Sequence, residues 1–227
     1  MAELNKTVLG RLSGAVGDII FRQRNGKNYV GTKPSSFIPG NDAASVARRA
    51  KFALSTKLAR TINSIPQLKS IWSAATPSGL TPYNYIIKIN YNNIDQGVLS
   101  DNVVLTPDIG FGVNASSLSI ASSGIQADLD AIGNNEGIDP VNEVSLKLVA
   151  LIHLGNPADS NIKPYSFLSF VSAAQATDLD NPLSFSMSLS TQEAQIFDQY
   201  QDHKGFFSLL TLDANESVVK YSSTFVG

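Results

Sequence analysis

Cysteine is missing from all 227 positions. Its absence excludes disulfides, thiolate nucleophiles and cysteine-ligated metals, and leaves the compartment open. Histidine is nearly as scarce, with only His153 and His203. His153 falls in an alternating apolar run, on the side opposite the main apolar set, and His203 in QDHKG, read as a polar turn. Neither has a neighbour at metal-ligand spacing, so no metal is expected. No nucleophile elbow, phosphate-binding loop or dinucleotide fingerprint occurs. No run approaches the roughly 18 apolar residues of a membrane span, so no membrane insertion is expected. The N-terminus, MAELNKTVLGRLSG, has no apolar core of a signal peptide. Together these absences predict a chain without cofactor or catalytic residues, located in the cytoplasm or in a released particle.

What is present is unevenly distributed. Net charge is only −2, yet residues 1–70 hold 12 Lys/Arg against 3 Asp/Glu, giving +9, and residues 71–227 hold 5 against 16, giving −11. Such asymmetry signals something about partners, or else mutual neutralisation within one molecule.

The densest pattern is GRLSGAVGDIIFRQRNGKNYVGTKP at 10–34. Asn25-Gly26 between two extended runs is the strongest short hairpin signal. That turn sets Phe21 opposite Val30 and Ile19 opposite Thr32 on one side. Arg22 then faces Tyr29, and Arg24 faces Lys27, on the other.

A turn-rich connector leads to a helix capped by Asn41 or Asp42 and running to about Ser64. Val46, Ala50, Leu54, Leu58 and Ile62 form its apolar stripe, flanked by Ala43 and Ala47. Arg48, Arg49 and Arg60 fall outside the stripe. So does Phe52, an unusual place for an aromatic, which either anchors a contact between copies or packs under the hairpin of its own chain. Pro66–Ala75 predicts a short helix joining Leu68, Ile71 and Trp72. Thr81-Pro82 opens a third segment, YNYIIKINYNNI, whose spacing is helical although its β-branched content leaves a strand open.

From about 98 the period changes to short alternating runs, as in an antiparallel β-sandwich. The strongest is Glu143–Leu154, with Val144, Leu146, Leu148, Ala150, Ile152 and Leu154 on one face. Leu183–Leu189 follows, then weaker runs at Val103–Leu105, Leu118–Ala121, Ile125–Ile132 and Tyr165–Val171. A C-terminal hairpin joins Phe206–Leu212 to Ser217–Phe225. Ser190 and Glu193 form a capping box for one short helix. The acidic pairs Asp128/Asp130 and Asp178/Asp180 lack the glycine and bidentate glutamate of an ion loop, and read as a solvated edge and a turn.

The stretch at 10–35, the helix core ARRAKFAL at 47–54 and GFFSLLTLDANESVVKYSSTFVG at 205–227 together resemble an uncharacterised domain-of-unknown-function family found mainly in Bacteroidota. The resemblance implies a glycine-rich N-terminal hairpin, a basic helix and a closing strand hairpin, and no activity or catalytic residues. Asp213-Ala214-Asn215 departs from the family pattern, which has a tighter D-G turn there.

The expected fold is α+β: an N-terminal β-hairpin and two or three helices at 1–97, then an antiparallel β-sandwich at 98–227. The expected function is a non-enzymatic assembly subunit that binds copies of itself or an acidic protein surface, as in a virion-like particle. Its interface is expected at Arg22, Arg24, Tyr29, Arg48, Arg49, Phe52 and Arg60, positioned by the Asn25-Gly26 turn. A carbohydrate- or surface-binding sandwich module is the alternative. A nucleic-acid-associated protein using the basic N-terminal region comes third, since no nucleic-acid motif frames those residues. Gly26→Val should lower the melting temperature well beyond an ordinary surface change, because the turn needs positive φ. A variant melting like wild type would remove the hairpin.

Overall fold

The computed structural model describes residues 2–4, 13–24, 26–33, 36, 39–95 and 98–227. The chain divides into two compact units, Met1–Val46 and Ala47–Gly227.

In the first unit the strands β1 (Ala2–Leu4), β2 (Gly14–Val16), β3 (Ile19–Arg24) and β4 (Lys27–Thr32) form one antiparallel sheet in the order β1-β4-β3-β2. The β3–β4 register pairs Ile19 with Thr32, Phe21 with Val30, Arg22 with Tyr29 and Arg24 with Lys27, as the turn requires. Gly26 has φ +77°, and Asn25 lies outside the described residues. A second tight turn at Gly17-Asp18, with Gly17 at φ +57°, folds β2 back onto β3. The predicted hairpin is therefore part of a four-stranded sheet. Among its described residues only Asn28 is buried, at 2% exposure, while Val16 and Ile19 stand 70% and 45% exposed.

Helix α1 (Ala43–Ser64) starts in the first unit and continues into the second. Asp42 caps it by accepting the Ser45 N–H at 2.9 Å. Burial begins only at Leu54; Val46 remains 49% exposed. Pro66 opens α2 (Pro66–Ala75), and Thr81 caps α3 (Pro82–Asn90) by accepting the Asn84 N–H. The YNYIIKIN segment is thus a helix. Its cap and N1 proline outweigh its β-branched content. Among the described residues no helix is long and apolar enough to cross a membrane.

The remaining strands follow. β5 (Ile94–Asp95) and β6 (Val98–Leu99) pair only with each other. β7 (Ala115–Ala121), β8 (Gly124–Leu129) and, further on, β12 (Leu183–Met187) form a three-stranded sheet in the order β12-β8-β7. β9 (Ser145–Pro157), β10 (Tyr165–Val171), β13 (Tyr200–Leu212) and β14 (Val218–Tyr221) form the main sheet in the order β10-β9-β13-β14. The short β11 (Gln175–Ala176) joins β9, and β15 (Phe225–Val226) joins β13. All these pairings are antiparallel, and the two sheets stack through one core. Helix α4 (Thr191–Phe197) carries the expected capping box between Ser190 and Glu193.

The predicted face of β9 is buried from Leu146 through Leu154, facing the smaller sheet, while Val144 stays 39% exposed. The other face is buried as well. Val149, Leu151, Phe206 and Leu210 pack with Leu54, Leu58, Leu68, Trp72 and Ile86 of the helices. The helices therefore form a third layer on the sandwich, and the packing runs unbroken across position 98. The change of character there is one of secondary structure, and the units part at Val46/Ala47 instead.

The expected strand Val103–Leu105 is absent, because its backbone groups bond to side chains. Asn90 takes both groups of Val104, the Leu105 N–H donates to Thr224 Oγ1, and the Leu105 carbonyl accepts Trp72 Nε1–H at 2.7 Å.

Beyond it, the segment at Gly110–Phe111 lies against the end of β14. A Cβ on Gly110 would stand 2.0 Å from the Tyr221 carbonyl oxygen and 2.6 Å from Ser222 C, both backbone atoms. Gly110→Ala should destabilise by about 1–3 kcal/mol, read by chemical denaturation. Gly112→Ala, whose nearest neighbour is the flexible Glu136 side chain at 3.4 Å, should be close to neutral.

Candidate interface and a polar cleft

The expected interface residues fall in two groups. Arg22 and Tyr29 form a cross-strand pair in the first unit, with Arg22 exposed and Tyr29 half-buried. The Arg24 backbone pairs with Lys27 as expected. Arg48, Arg49, Phe52 and Arg60 lie on α1, all exposed. Spacings of three and four residues make Arg48, Arg49 and Phe52 neighbours on the helix surface. Phe52 is 55% exposed, which is not the environment of a core aromatic. Lys51, on the flank of the stripe, instead lies over the Tyr91 ring at 4.8 Å.

Neither acidic pair stands as an isolated charge cluster. Asp128 accepts the Ser184 hydroxyl, cross-strand, on the outer face of the smaller sheet. Asp178 accepts from the Asp180 and Asn181 backbone and from the Asn181 amide, and these bonds hold its carboxyl below the usual range. Among the described residues no three His, Asp or Glu side chains are placed to hold a metal.

Sequence reasoning missed a cleft of about 300 Å³, with both apolar and charged lining, at one end of the main sheet. Val98, Leu99, His153, Tyr165, Asp202 and Lys204 line it. The β9–β13 register sets His153 directly opposite Lys204 and Gly155 opposite Asp202. Alternation puts all four on one face, with Tyr165 and Phe167 joining from β10. The His153 ring lies 5.2 Å from that of Phe167, is 7% exposed, and has its Nε2 buried without a partner. Lys204 Nζ is held by Asp101 at 2.5 Å and by the Leu99 carbonyl.

His203 is not in a turn. It belongs to β13, which extends back to Tyr200 because the β9 ladder continues to Pro157. Opposite Leu154, it faces away from His153 and stacks on Phe197 at 3.8 Å. Both histidines nevertheless line the cleft, from opposite faces of the strand pair. Only the cross-strand register reveals this, since His153 and Lys204 are far apart in sequence.

No family model and no curated protein matches the chain. Among solved structures, the wild-type OgpA of Akkermansia muciniphila aligns over 82% of this chain and 52% of its own, at 14% identity and a TM-score of 0.23. This chain therefore spans about half of that one, and so slight a likeness carries no argument.

Burial, then the neighbouring Lys204 charge, push the His153 pKa down to about 4, with Asp202 acting in the opposite direction. In the unfolded chain it returns to about 6.5. Between those values the unfolded state binds the extra proton, so stability is full above about pH 6.5 and falls as the pH drops toward 4. The loss should reach roughly 3 kcal/mol. His153→Leu should flatten the fall in unfolding free energy between pH 7 and 4.5; an unchanged slope would assign it to other groups.

Proposed function

We propose that this chain is a non-enzymatic assembly subunit that associates with other copies of itself. The observation that carries the reading is the exposure of the first unit's sheet among its described residues. That sheet buries no apolar side chain among the described residues, and Val16 and Ile19 stand exposed. An isolated sheet of short strands gains stability only when an apolar face is covered. The second support is charge, +9 over residues 1–70 against −11 over the rest. Unlike ends favour head-to-tail encounter, and a contact of that kind propagates into a ring or a filament. Charge steers the approach, while affinity needs a desolvated anchor. Phe52, exposed beside Arg48 and Arg49 on α1, supplies one.

The polar cleft supports a second reading, a module binding a small hydroxylated ligand at Tyr165 and Lys204. The N-terminal sheet weighs more, since it leaves Val16 and Ile19 exposed to water.

The test is native mass by sedimentation across salt concentrations. The full chain should exceed its 24.3 kDa monomer mass at low salt and dissociate as salt rises. Phe52→Ser should weaken association while the melting temperature stays near wild type. A chain monomeric at every salt and concentration would overturn the reading.

A further inference from the structure

The main sheet ends in β14, and beside that strand runs a groove of about 640 Å³ against helix α2. Gln67, Ser70 and Ala74 line its helix wall, and Val218, Val219 and Tyr221 its strand wall. Two features identify what such a groove accepts.

First, its strand wall is a sheet edge that, among the described residues, is paired on its outer side at one end. The Tyr221 carbonyl accepts the Phe111 N–H at 3.1 Å, and Phe111 bridges Ser222 in parallel. The β13–β14 register shifts between Thr211 and Leu212, leaving Val219 without a residue opposite it on β13, and its side chain is 47% exposed. Second, Ser70 and Ala74 give part of the facing helix wall small side chains, beside Gln67 and Ile71. A sheet edge next to such a groove suits an added β-strand.

The chain carries a strand of matching kind. β2 (Gly14–Val16) is the outer strand of the first unit's sheet, three exposed residues of which two are small. Its length suits an edge of four residues that bulges at Val219. Charge agrees: residues 1–46 hold 6 Lys/Arg against 3 Asp/Glu, +3, and residues 47–227 hold 11 against 16, −5. Glu216 stands on the groove's rim.

Resting on the self-assembly reading, we propose that the β14 edge and the α2 groove receive the β2 edge of a second copy. Donor and acceptor edges differ, so the contact is heterologous, and a pair leaves one donor edge on one copy and one acceptor edge on the other unused until a ring closes or a filament grows. Pairing continues the main sheet across the junction and puts Val16 against α2.

The absence of cysteine allows a direct test in the full chain. Ala15→Cys and Val219→Cys proteins, mixed and oxidised, should give a disulfide-linked heterodimer, since paired strands bring Cα atoms within bonding range. Ala15→Cys mixed with Ser123→Cys, on the exposed β7–β8 turn, should not. Ala74→Arg fills the groove from an exposed helix position, and should raise the dissociation constant of self-association at least tenfold with little change in melting temperature. Self-association that persists without the cross-link, and is indifferent to Ala74→Arg, overturns the groove and leaves the assembly reading standing. A chain that never self-associates overturns both, as does an intrachain disulfide in a monomeric doubly substituted protein.

Discussion

The β9–β13 ladder carries everything else in the second unit. The two strands, 13 residues each, pair from Tyr200–Pro157 to Leu212–Ser145 and are covered on both faces. Side chains of one parity enter the core shared with the smaller sheet, and those of the other enter the core shared with the helices. Between Leu146 and Leu154, and between Gly205 and Leu212, nearly every side chain is shut off from water, so a polar residue there needs a partner or must shed its charge. Ser208 donates to the Ser222 carbonyl, and Thr211 accepts the Lys220 N–H. His153 takes the second route. It is held neutral by burial and by Lys204 across the strand.

The helix layer is attached by apolar packing and by a few buried polar pins. Trp72 is fully buried, stacks edge-on against Tyr85 at 5.5 Å, and donates its indole N–H to Leu105. Asn90 closes both hydrogen bonds of Val104. Residues 103–106 therefore act as a seam between helices and sheet without belonging to either. A buried backbone satisfied by side chains is costly to disturb, because removing one partner leaves a desolvated group unpaired. The same economy governs Ser222, whose hydroxyl accepts the Leu209 N–H while its own N–H donates to the Leu209 carbonyl.

The first unit obeys a different constraint. Its four strands are short, its turns are glycine-driven, and the apolar residues of its described part remain at least partly exposed. A sheet of this kind is specified locally but is not stabilised locally. The proposed function rests on this pairing of exposed apolar side chains with positive charge.

Local chemistry was legible in the sequence, the first helix cap to within Asn41 or Asp42. The cap at Asp42, the prolines at 66 and 82, the Ser190–Glu193 box and the Asn25-Gly26 register each depend on neighbours a few positions away, and the helices and the hairpin register emerge at the expected places. The resemblance implied an N-terminal hairpin, a basic helix and a final strand hairpin, and no site. Alternation in β9 was legible too, whereas the burial of its second face was not. A strand's period shows which side chains share a face, and only the packed helices decide that both faces are dry. The cleft escaped for the same reason. His153 and Lys204 are separated by 51 positions of sequence and joined by one rung of a ladder. Caps, turns and periods are set by short-range sterics and hydrogen bonds that the chain carries wherever it goes. Burial, register between distant strands and the pKa of a side chain depend on which surfaces meet, and that was decided by the tertiary structure alone.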